Sequence, residues 1–104
     1  MQTQTPVLLM TIKGTAMNKG RARCWVERSL SEYGLSRGTP VTIELLDDSI
    51  VVTADPNGKR KVAGRPDKEI LDICFPADQR EKMFKGAARL AVFVEFGKLV
   101  IKGA

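Results

Sequence analysis

Two clusters of basic side chains are the residues of this sequence whose types and spacing could do chemistry. The first comprises Lys13, Lys19, Arg21, Arg23 and Arg28, with Asn18 among them and Glu27 as its single acid, for a local charge of +4. The second, Lys59, Arg60, Lys61, Arg65 and Lys68 against Asp67, also carries +4. The whole chain is +5, which leaves −3 for everything outside the clusters. Cations at this density suit a polyanion, and each phosphate neutralised on a duplex steepens the fall of log K with log salt by about 0.9. Asn18, Arg21 and Arg23 are the side chains best suited to base edges. In Lys19-Gly20-Arg21 the glycine allows an exposed turn to bring its backbone close to a phosphate.

Other chemistries are poorly provided for. The sequence has no His, which removes Ser-His-Asp and Cys-His nucleophiles and nearly all catalytic zinc sites. Cys24 and Cys74 are the only cysteines and form no CxxC, too few for a disulfide framework or a structural zinc site; both are expected to be reduced and buried. Asp47-Asp48 lies between two alternating runs, where adjacent carboxylates point apart and a turn is the natural reading. Lys13-Gly14-Thr15 matches the end of a phosphate-binding loop but lacks the preceding glycine. The expectation is a non-enzyme with no cofactor and no metal. Residues 1–12 lack a basic region and a small-residue cleavage site, and no run approaches the roughly 18 apolar residues of a membrane span. A cytoplasmic protein with no membrane partner is expected, with Met1–Pro6 as a loose tail.

The elements that must carry these cations repeat. The 104 residues amount to one small domain, which fits a single core shared by two half-sized units. At an offset of 50, Ile12 and Gly14 fall on Val62 and Gly64, and Cys24-Trp25 falls on Cys74-Phe75. After the helical stretch the offset becomes 49, placing Val41, Ile43 and Leu45 on Leu90, Val92 and Val94. The expected division is repeat 1 over about 7–55, a turn at 55–58 and repeat 2 over about 59–104. Each repeat is expected as strand, loop, strand, short helix and β-hairpin. In the first the strands span roughly 7–13, 21–26, 40–46 and 49–54, with a helix near 27–33 ended by Gly34. In the second they span roughly 59–63, 69–75, 89–95 and 98–102, with a helix at 77–84 whose first turn Pro76 suits. Trp25 and Phe75 are expected as paired core residues. Halves of fifty residues cannot each bury a full core, so an intertwined β-barrel of pseudo-twofold symmetry, mainly β with two short helices, is the expected fold. Both basic clusters should then share one edge or face, which suits a duplex.

The segments ICFPADQREKMFKG (73–86) and VFVEFGKLVIKG (92–103) resemble the AbrB/SpoVT family of swapped-hairpin DNA-binding domains. Pro76, Arg80, Gly86 and the hairpin about Gly97 occupy that family's positions, and NKGRARCWV (18–26), Leu30, Gly34, Gly38 and the 41–53 hairpin resemble it in the first half. The first half departs at Val26 and Leu30, where the pattern has Pro and Arg, and the acidic residue that follows the turn glycine is Thr39 in one half and Ala87 in the other. The resemblance implies a tandem copy in one chain, a monomeric pseudo-dimer or a homodimer. It also implies a bacterial or phage transcriptional regulator or antitoxin that sets basic loops against DNA, with Arg80 supporting packing. A second class of function fits the same basic face: a small phage or plasmid adaptor or inhibitor that binds a protein or nucleoprotein complex of defence or modification. An RNA-binding protein on the same scaffold is a third.

Overall fold

The computed structural model describes residues 7–13, 16–18, 20–85, 87 and 89–103, with the side chains of Lys13 and Ala16–Asn18 outside that description. The described residues are mainly β, in two antiparallel sheets with one α-helix. The strands are β1 (Val7–Lys13), β2 (Ala16–Asn18), β3 (Arg21–Arg28), β4 (Pro40–Leu45), β5 (Ser49–Ala54), β6 (Arg60–Lys61), β7 (Ala63–Arg65), β8 (Lys68–Pro76), β9 (Arg89–Glu95) and β10 (Lys98–Gly103), and α1 is Ala77–Phe84. A six-stranded sheet runs β1-β9-β10-β5-β4-β6, and a four-stranded sheet runs β2-β3-β8-β7.

The chain halves interleave. In the six-stranded sheet the β4–β5 hairpin lies beside the β9–β10 hairpin through the β5–β10 ladder, where Ile50 faces Ile101 and Val52 faces Leu99. The first strand of each half caps the hairpin of the other: β1 pairs with β9, and β6 with β4. β3 and β8 pair along their lengths in the middle of the smaller sheet. No ladder joins the two sheets among the described residues, and no closed barrel is found.

Period-two patterning sets which side chains enter the core. Ala22, Cys24 and Val26 of β3 face Phe75, Ile73 and Leu71 of β8, all buried. They share one cluster with Val41, Ile50, Val52, Leu90, Val92, Leu99 and Ile101 of the larger sheet. α1 closes one end. Pro76 is its N-cap at φ −62°, so its missing N–H costs the helix nothing. The Ala77 N–H donates to the Gly20 carbonyl at 2.9 Å, and Phe84 meets Phe75 edge to face at 6.2 Å between ring centres.

Four sequence expectations are corrected. The stretch 27–33 is not an α-helix: Glu27 and Arg28 stay in β3, paired with Ile70 and Glu69, and a single 3₁₀ turn follows at Ser31–Tyr33. The Leu30 N–H donates to the buried Glu69 carboxylate, and Gly34, left-handed at φ 78°, ends the turn as expected. The repeat phase also shifts. Cys24 points inward and Cys74 outward, so an even offset would exchange the two faces of the strand, whereas 49 keeps Cys24 with Ile73 and Val26 with Phe75 on the core side. In consequence Cys74 is exposed, and Trp25, 41% exposed, lies on the outer face instead of pairing with buried Phe75 in the core. Finally, the expected 59–63 strand is split into β6 and β7 around Val62, whose N–H and carbonyl bond Thr39 and Gly38. The remaining boundaries fall within two residues of expectation. The turn at 55–58 is present, with Gly58 N–H donating to Asp55 O at 2.8 Å and Asn57 N–H to Asp55 Oδ1 at 2.9 Å.

Candidate nucleic-acid interface

The alternation that buries one face of the β3–β8 ladder turns Arg21, Arg23, Trp25 and Glu27 of β3 outward, together with Lys68, Ile70, Asp72 and Cys74 of β8. Arg65 is paired with Lys68 across the β7–β8 hairpin and so shares this face, as the Asn18 position does opposite Arg21. The two hairpin turns lie at opposite ends. The turn at Gly20, left-handed at φ 76°, sits beside Arg21 and Pro76, and the other carries Arg65 and Lys68. Lys68 and Pro76 lie eight positions apart along β8, a span of roughly 26 Å at about 3.3 Å per residue.

The middle of the face is held by one ion pair. Arg23 grips Asp72 with both arms of its fork, Nε to Oδ1 and Nη2 to Oδ2, each at 2.7 Å. Its guanidinium lies 4.8 Å from the centre of the Trp25 ring, a cation–π arrangement, and Trp25 Nε1 donates to Glu27 Oε1 at 3.1 Å. Arg60 reaches across from β6 and donates to the Asp72 backbone carbonyl at 2.9 Å. The hydrogen bonds from Arg23 hold the Asp72 carboxyl below its ordinary range, helped by the charges of Arg23 and Arg60. The same bond raises the Arg23 pKa. With Arg23 neutralised in place, the cations left open to a ligand on this face are those of the two ends.

The candidate residues therefore divide. Arg21, Arg23, Arg65 and Lys68 come together on one face, with Arg60 attached to its middle. Lys59 lines a groove beside β4 together with Arg60. Lys61, next to Arg60 in β6 and opposite Pro40, points the other way by strand alternation. Lys19 and the side chains of Lys13 and Asn18 lie outside the described residues, as do Met1–Pro6, Gly14 and Gly86. Arg80 packs near the end of α1, its side chain 15% exposed, donating to the Ala87 carbonyl at 3.3 Å and meeting Glu81 at 3.2 Å.

Burial pushes the Cys24 thiol up to about 12, which leaves it protonated and inert. No group of three or more metal-ligating side chains occurs among the described residues, and none of their helices is long and apolar enough to cross a membrane. Sequence reasoning missed Trp25, Asp72 and Cys74 as surface residues of this face. The alternating pattern of 21–28 could have exposed Trp25, because Ala22, Cys24 and Val26 already claim the buried side. No protein-family model, curated protein or solved structure matches the chain.

Proposed function

We propose that this chain is a non-enzymatic DNA-binding module, a small transcriptional regulator or antitoxin-like protein that grips the duplex backbone with the outer face of its four-stranded sheet. The observation that carries the reading is the placement of Arg21 at one end of the β3–β8 ladder and of Arg65 and Lys68 at the other. The roughly 26 Å between them is shorter than one helical turn of about 34 Å, so both ends can reach phosphates bordering one groove. Salt-dependent backbone contacts then supply affinity. Arg23 is a reserve cation, released toward phosphate when its bond to Asp72 opens.

The interleaved topology, in which each half caps the other half's hairpin, supports reading the halves as tandem AbrB-like repeats wound into one pseudo-dimer. A cytoplasmic, bacterial or phage setting goes with that reading.

The test is fluorescence anisotropy of a labelled duplex of about 30 base pairs titrated at several salt concentrations. The expected result is micromolar or tighter binding at about 50 mM salt, with a log–log slope near −3 that flattens by about 0.9 for each of Arg21→Ala and Lys68→Ala. Absence of binding at that salt, or slopes indifferent to both substitutions, overturns the proposal. Stronger binding to a single strand than to the duplex would point to Trp25 as a stacking platform and overturn duplex recognition.

A further inference from the structure

The six-stranded sheet ends differently on its two flanks. On one, β1 pairs with β9 from Arg89 to Val94, and Leu9, Met10 and Ile12 pack against the core. On the other, β4 is met by β6 at Pro40 and Val41 alone, so Thr42–Leu45 has no strand beside it among the described residues. The Asp55 N–H donates to the Pro40 carbonyl at 3.0 Å, which makes the even-numbered residues of β4 those bonded toward β5. Because bonding direction alternates along an antiparallel ladder, Ile43 and Leu45 turn their N–H and C=O groups to the empty flank. Their side chains follow Val41 onto the inner face, and with Ile73, Cys74, Lys59 and Arg60 they line an open groove of about 510 Å³.

We propose that this edge is a strand-addition site for an extended segment of another protein, with apolar side chains at alternate positions and acidic residues at its C-terminal end. The backbone groups of Ile43 and Leu45 supply the ladder, and the groove takes the apolar side chains, as the opposite flank takes those of β1. A strand antiparallel to β4 is collinear with β6, so its C-terminal end abuts Lys59 and Arg60, which calls for carboxylates there. The same charges argue against a second copy as occupant. This chain carries +5 overall, and an edge-to-edge pair would bring two cationic rims together. The groove shares Arg60 and Cys74 with the border of the β3–β8 face, but the edge groups that carry this inference, those of Ile43 and Leu45, do not lie on that face.

The experiment titrates the full chain into a fluorescein-labelled peptide made of Val7–Thr11 followed by two Glu residues. Saturable binding below about 1 mM is expected, at least tenfold weaker for Leu45→Pro, for Lys59→Glu, and for the peptide ending in two Lys. Leu45→Pro removes an outward N–H and spares the β5 ladder, so its thermal melt and its duplex affinity should match the wild type. No saturation, equal binding of the Lys-tailed peptide, or wild-type affinity in a folded Leu45→Pro variant overturns the proposal. So does sedimentation of the wild type as a dimer that Leu45→Pro dissolves.

Discussion

Replacing Asp72 by Asn should tighten duplex binding while slightly weakening the fold, two effects of opposite sign from one ion pair. Asp72 occupies both arms of the Arg23 fork at 2.7 Å, and its carboxylate is the acid nearest the middle of the proposed interface. The Asn variant keeps the shape, removes one negative charge and frees Arg23 for a phosphate. One added phosphate contact steepens the salt slope by about 0.9, which corresponds to about eightfold tighter binding at 0.1 M salt and about threefold at 0.3 M. The eightfold change is about 1.2 kcal/mol. The side chains of Arg23 and Asp72 are 49% and 35% exposed, so solvent screens the pair and its loss should cost little stability. The melt should shift down only slightly. Anisotropy titrations at the two salt concentrations, with a thermal melt by circular dichroism, measure both. Unchanged or weaker duplex binding in a folded Asp72→Asn variant would refute the claim that Asp72 holds Arg23 in reserve.

Glu69, 8% exposed, accepts the N–H of fully buried Leu30; Glu69→Ala leaves that donor without its partner and should cost about 2–3 kcal/mol in urea unfolding, whereas Glu69→Gln, which keeps an acceptor oxygen, should cost about 1 kcal/mol. Gly58→Ala should destabilise by about 1–3 kcal/mol, because the new Cβ would collide with the Val41 backbone, 2.6 Å from its carbonyl carbon; a melt within experimental error of wild type would show that the turn at 55–58 relaxes freely. Acid should weaken the fold. The Asp55 and Asp72 carboxyls both titrate below their ordinary 3.8, Asp55 through bonds from Thr42 and the Asn57 N–H, and Asp72 chiefly through Arg23. A lowered folded-state pKa gives stability that is present above the unfolded value and lost as pH falls through the folded one. Urea midpoints should therefore hold from neutral pH down to about 5 and drop below about 4, with a smaller drop in Asp72→Asn.

Much of the fold is legible in the chain because hairpins are local. The alternation of 41–45 and 50–54 about Asp47-Asp48, and of 90–94 and 99–101 about Phe96-Gly97, gives both hairpins to within a residue. What misled was phase and partnership. In a strand, one residue of slip exchanges core and surface, so aligning Cys24 with Cys74 by identity placed Cys74 and Trp25 inside. The polar stretch 27–33 carries local helix signals, but its first residues are claimed by Ile70 and Glu69, about forty positions away. The 3₁₀ turn itself is tied to the β9–β10 turn, where the Gly97 N–H donates to the Tyr33 carbonyl at 2.6 Å. The basic residues of the candidate interface are countable in the sequence. Their neutralisation is not, since Arg23 and Asp72 lie 49 positions apart and meet only through the register of β3 and β8. That no described strand covers Thr42–Leu45 of β4 on its outer flank is equally a property of pairing, visible only once β6 is seen to stop at Arg60.

Cys74 offers the most direct test of the proposed duplex interface. It is the exposed cysteine on the outward face, directly opposite Arg23, whereas Cys24 is buried. Alkylation by iodoacetamide, followed by intact mass, should add one group to the native protein and two after unfolding. A saturating duplex, with its binding confirmed by anisotropy in the same sample, should slow alkylation of Cys74 at least tenfold, and high salt should restore it. An unchanged rate in the presence of bound duplex would contradict the account and move the interface off the β3–β8 face.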